Sequence, residues 1–119
     1  MELQKPQDNL SCKIGDVTFF FRSQMTVRDK VAIDMVGTLK DGRWVMDRDA
    51  YITKIIERFV TGWDGVTENG KPVPYSYDVF MERFPSGQGT FDLLLDLSDQ
   101  IGRAIGLFTT PEKAEEKNA

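Results

Sequence analysis

Apolar and polar positions alternate along this chain in two distinct periods, and the periods mark its elements. Leu10, Cys12 and Ile14 alternate with polar neighbours and meet Gly15-Asp16. The β-branched and aromatic run Val17 to Arg22 follows, so strands are expected near 10–14 and 17–22, joined as a hairpin. Within the second strand Phe19 and Phe21 share one face and Phe20 takes the other, because side chains alternate along a strand. The strand is therefore expected either to be buried on both sides or to offer one face to another subunit. Thr26 to Asp29 has the spacing of a capping box, and Val27, Val31, Met35, Ala32 and Val36 then form an apolar stripe at helical spacing, closed by Gly37. Asp41-Gly42, between Leu39 and Trp44, marks a second small hairpin or a plain loop. Asp47 or Asp49 caps the next helix, whose stripe is Ile52, Ile55, Ile56, Phe59, Val60 and Trp63.

The stretch Phe59 to Ser76 reads as a rigid elbow. Gly62 suits a helix C-terminus, and Trp63 is the first large side chain beyond it, placed to pin the elbow to the core. Asn69-Gly70 fits the positive φ values of a type I′ turn. Pro72 and Pro74 hold the exit extended, Ser76 caps a short helix from Tyr77 to Phe84, and Asp78 suits its first turn. Pro85 to Gly89 is a flexible break. Thr90 caps the last helix, whose stripe of Leu93, Leu97, Ile101, Ala104, Ile105 and Phe108 is widened by Phe91, Leu94, Leu95 and Leu107. So wide a face is either core or shared with a partner. Gly102 and Gly106 either let a second helix approach or are simply tolerated, and Thr109 to Pro111 ends the helix.

These elements predict an α+β domain with more helix than strand: an N-terminal β-hairpin and about four helices. Residues 1–9 are expected as a flexible arm, 10–108 as one globular domain, and 109–119 as a disordered tail. The 119 residues suit one domain. A net charge of −4 without any basic run argues against nucleic-acid binding. No apolar run approaches the ~20 residues of a membrane span, and the polar first residues lack a secretory signal, so a cytoplasmic protein is expected.

Candidate chemistry is sparse. The chain has no histidine, which removes the commonest general base and metal ligand. Cys12 is the single cysteine and has no activating partner. Asp92, Asp96 and Asp99 share one helical face, where a metal is conceivable but a solvated face is the simpler reading. Asp47-Arg48-Asp49 begins like a calcium loop but lacks its glycine and closing glutamate. Gly87-Gln88-Gly89 is too short to cradle phosphate. No catalytic, metal-binding or cofactor-binding residue is assigned, and an enzyme is not expected.

The segment Trp63 to Ser76, with Trp63, Gly65, Val66, Gly70, Pro72, Pro74 and Ser76 at the matching positions, resembles one found in tail assembly chaperones of long-tailed phages and prophages. The helix before it and the short helix after it sit where that family has them. The close match covers about 20 residues and the looser one about half of the chain. The resemblance implies a non-catalytic protein of the host bacterial cytoplasm. It would bind the tape-measure protein, assist tail-tube protein to assemble around it, and self-associate. A small structural component retained in the virion, at the head–tail joint or the tube, is the alternative. Candidate partner-binding residues are Phe19 and Phe21 on the strand, Trp63 in the elbow, and Leu93, Leu97, Ile101, Ile105 and Phe108 on the last helix.

Overall fold

The computed structural model describes residues 1–3, 10–85 and 93–107. Its elements run β1 (Leu10–Ile14), β2 (Val17–Phe21), α1 (Val27–Asp34), β3 (Gly37–Lys40), β4 (Arg43–Met46), α2 (Arg48–Phe59), β5 (Val60–Asp64), β6 (Thr67–Glu68), β7 (Lys71–Pro72), α3 (Tyr77–Arg83) and α4 (Leu93–Ala104). The fold is α+β and opens on a β-hairpin. The expected arm at 1–9 falls mostly outside the described residues, as do Thr90, Phe91, Asp92, Phe108 and the tail from 109 onward.

A three-stranded antiparallel sheet, in the order β1-β2-β5, carries the core. Phe19 and Phe21 point inward and are fully buried, whereas Phe20 points outward and is partly exposed. The sheet is therefore covered on one side only, not on both. α4 packs against β1 and α2, and α1 packs against α2. Ile33, Ile55, Ile56, Phe59, Val60, Phe80, Leu97 and Ile101 complete the buried cluster with the two phenylalanines.

The helix expected to run past Val60 stops at Phe59, and Val60 to Asp64 forms a strand instead. Val60 pairs with Phe21 and Trp63 with Phe19, yet the first two residues are three apart and their partners two apart. The register shift between Phe20 and Phe21 accommodates the extra residue of β5. It lets Val60 and Trp63 serve one face, so a helical spacing and a bulged strand produce the same apolar pattern here. Gly62 is thus a strand residue opposite Phe20, not a helix stop. A Cβ there would rest 3.8 Å from the Phe20 ring, so the outward phenylalanine lies over the glycine.

Two other helix ends differ from expectation. α1 ends at Asp34 with Met35 as its cap, and Gly37 opens β3. α4 ends near Ala104: the Leu107 N–H donates to Gly102 O at 2.8 Å and the Gly106 N–H to Arg103 O at 3.3 Å. With Gly106 at φ +80 this is a Schellman closure, which explains that glycine. Gly102 is buried in the α4 packing face.

The elbow is a tight structural unit. Asn69 and Gly70 take φ values of 52° and 77° between β6 and β7. The Trp63 Nε1–H donates to Val73 O at 2.7 Å. Its ring stacks on Phe84 at 5.3 Å and meets Tyr75 edge-on at 5.1 Å. Trp63 therefore fastens the prolyl exit to the sheet and to α3 together. Ser76 caps α3, its Oγ accepting from Val79 N at 3.2 Å.

Candidate protein-binding surface

The orientation of α1 is fixed by one buried carboxylate. Asp29 has no exposed surface. Its Oδ2 accepts from the Thr26 N–H at 2.9 Å, while Thr26 Oγ1 accepts from the Asp29 N–H at 3.2 Å. Its Oδ1 accepts from Arg22 at 2.8 Å and from the Arg58 Nε–H at 2.8 Å. Arg22 also donates to Arg58 O at the C-terminal end of α2 and lies 4.8 Å over the Phe59 ring. Burial alone would raise the Asp29 carboxyl. The Thr26 backbone bond and the bonds from the Arg22, Thr26 and Arg58 side chains outweigh it, so the group sits below the usual carboxylate range.

That inward pull has an outward consequence. Asp29 lies two positions from Val27 and from Val31, about 200° around a helix of 3.6 residues per turn. Locking Asp29 and Ile33 into the protein turns the other side of α1 to solvent. Val27 is 82% exposed, Val31 55% and Met35 65%. The stripe read from the sequence therefore exists, but it faces away from the core. Val27, Arg28 and Val31 line a shallow open depression along it.

The β3–β4 hairpin continues the apolar surface. Leu39, Trp44, Val45 and Met46 are all exposed. Asp41 and Gly42, at φ 51° and 76°, make its two-residue turn. Trp44 lies across Gly37, where a Cβ would come within 2.9 Å of the indole. A two-stranded hairpin is marginal in water without cover, and among the described residues no further strand pairs with this one.

The residues proposed from sequence for partner binding occupy different places. Phe19, Phe21, Leu97 and Ile101 are fully buried by contacts within the chain. Trp63, Leu93 and Ile105 are half-buried and pack against that core. Phe108 lies outside the described residues. Most of the exposed large apolar side chains lie on α1 and the hairpin instead, with Phe20 on β2 and Met81 on α3 standing apart. Val27, Val31 and Met35 were legible as a stripe, but its direction depended on Arg22 and Arg58, which lie outside the helix.

The polar groups considered for chemistry are engaged locally. Asp96 accepts from the Gln100 side chain at 2.9 Å, and Asp99 accepts from the Arg103 Nε–H at 2.9 Å. Asp92 lies outside the described residues, among which no cluster of three or more potential metal ligands occurs. Burial, with a contribution from Asp96, pushes the Cys12 thiol up to about 11, which disfavours the nucleophilic thiolate. Burial, then Tyr77, pushes the Tyr75 phenol up to about 12. Its hydroxyl is enclosed without a hydrogen-bond partner among the described residues. No helix among them is long and apolar enough to cross a membrane. Compared with protein-family models, curated proteins and solved structures, the chain matches none of them.

Proposed function

We propose that this protein is a non-catalytic tail assembly chaperone of a long-tailed phage or prophage, acting in the host cytoplasm. It holds an apolar, helical segment of the tape-measure protein on the outer face of α1 while tail-tube protein assembles. The observation that carries this reading is the solvent-facing stripe Val27, Val31 and Met35. Three apolar side chains at i, i+4 and i+8 present a ridge suited to an amphipathic partner helix. The Trp63-to-Ser76 segment, which resembles the chaperone family, supports the same assignment and contributes the rigid elbow behind the sheet. The core aromatics Phe19, Phe21 and Trp63 serve that scaffold.

Co-expression with a tape-measure protein of a long-tailed phage tests the proposal. The expected result is a soluble complex that survives size exclusion with the wild-type chain and is lost with Val31→Asp. A tape-measure protein that stays insoluble, or elutes alone beside the folded wild-type chain, contradicts it.

A further inference from the structure

The β3–β4 hairpin carries a docking geometry separate from the α1 stripe and independent of the chaperone reading. Its register pairs Gly37 with Met46, Thr38 with Val45, Leu39 with Trp44 and Lys40 with Arg43. The ladder extends by one bond, from the Asp47 N–H to Val36 O at 3.2 Å. In an antiparallel pair, hydrogen-bonded and non-hydrogen-bonded residue pairs alternate. Counting back from Val36–Asp47, the bonded pairs are Thr38–Val45 and Lys40–Arg43. The backbone N–H and C=O groups of Trp44 and Met46 therefore point away from β3, along the free edge of β4. All four residues of β4 are exposed.

We propose that this edge pairs with the same edge of a second copy, antiparallel about a two-fold axis at Val45, giving a four-stranded sheet. Three features of the strand fit that occupant. First, the outward backbone groups match. Trp44 falls opposite Met46 of the second copy, and each outward donor then meets an outward acceptor, twice over by symmetry. Second, the charges match. Arg43 falls opposite Asp47 of the second copy, and Asp47 falls opposite its Arg43. Among the described residues Arg43 has no acidic partner. Asp47 has extended backbone, φ −83 and ψ 109, so it can lie in the added ladder. Its Oδ1 caps α2 through Ala50 N, which leaves the other carboxylate oxygen for Arg43. Third, the side chains match. The two exposed Val45 side chains meet on the face opposite Trp44, whose indole stays over Gly37 of its own hairpin and leaves the edge clear.

Neighbouring arrangements lack this fit. Centring the axis on Trp44 sets Asp41 against Asp47, two like charges face to face. The free edge of β3, centred on Thr38, sets Lys40 against Val36 and gains no charge pair. A like-charge pair, Lys40 against Arg43, already stands next to the turn within one hairpin, and the second copy brings the compensating carboxylates to Arg43.

The test is mass against concentration for the full chain, with three variants. The wild-type mass should rise from 13.5 kDa to twice that value and stop there, because a two-fold contact closes. Met46→Pro removes one outward N–H and leaves the bonds within the hairpin in place, so it should remain monomeric at every concentration. For a geometric readout, Val45→Cys and Thr38→Cys are compared in the Cys12→Ser chain under mild oxidation. Across the axis the Val45 positions form a non-bonded pair about 4.5 Å apart, within disulfide reach. The Thr38 positions lie three strand spacings apart, about 14 Å, and are out of reach. Val45→Cys should form a covalent dimer and Thr38→Cys should not. A wild-type chain that stays monomeric, grows without limit, or cross-links equally at both positions overturns the proposal.

Discussion

Arg58 reaches Asp29 across twenty-nine positions of sequence and holds its Oδ1 at 2.7 Å. Arg22 joins the same oxygen, so the end of β2, the start of α1 and the end of α2 are tied at one carboxylate. This contact decides which side of α1 faces the core, and hence which side chains are left exposed.

Replacing Asp29 with Ala should destabilise the fold by about 3 kcal/mol, the range for breaking a buried charge pair from one side. It removes the acceptor shared by two guanidinium groups and half of the capping box as well. Urea unfolding followed by circular dichroism measures it. A loss under about 1 kcal/mol would place the cluster with ordinary surface pairs.

The same carboxylate sets a pH dependence. Its folded-state pKa lies below its unfolded value, so its stabilisation is complete above the unfolded value, about 3.9, and is lost as pH falls through the folded one. The stability gap between wild type and Asp29→Asn should therefore be constant from pH 7 to about 5 and narrow towards pH 2. A gap that is unchanged across that range would assign the Asp29 effect to packing rather than charge.

Two glycines three positions apart should respond in opposite senses. Gly65 has φ +94, and a Cβ there would fall 2.4 Å from Asp16 O, backbone that cannot easily retreat. Gly65→Ala should cost about 1–3 kcal/mol. Gly62 has ordinary strand backbone with open space up to Phe20, so Gly62→Ala should be neutral or stabilise by up to about 1 kcal/mol. Thermal midpoints of the two variants check the contrast.

Charge insertion separates core from surface. Leu97→Asp buries an unpaired carboxylate at a fully enclosed site and should unfold the chain. Val31→Asp falls on a half-exposed position of α1 and should shift stability by no more than about 0.5 kcal/mol. Far-UV circular dichroism of both variants at one temperature distinguishes them.

The sequence made the fold legible wherever the cue was local. The hairpin at Gly15-Asp16, the caps at Thr26, Asp47 and Ser76 and the Asn69-Gly70 turn each depend on neighbours a few residues away, and each appears in the structure. The alternation of Phe19, Phe20 and Phe21 was equally plain, although which face would be covered was not. What escaped was set by contacts distant in sequence. Val60 to Trp63 looked helical because a bulged strand repeats apolar side chains at a spacing of three. The α1 stripe was visible but its direction was not, because the residues that turn it outward, Arg22 and Arg58, lie on other elements. The last helix showed a broad apolar face, and burial of Leu97 and Ile101 uses its centre within the chain.

Hydrogen exchange on the complex locates the proposed client-binding surface. Backbone amides of the chain are compared alone and with the tape-measure protein bound. New protection is expected between Thr26 and Val36, with the elbow from Trp63 to Ser76 unchanged. Protection confined to the elbow or to Leu93–Leu107, with α1 unaffected, would contradict it.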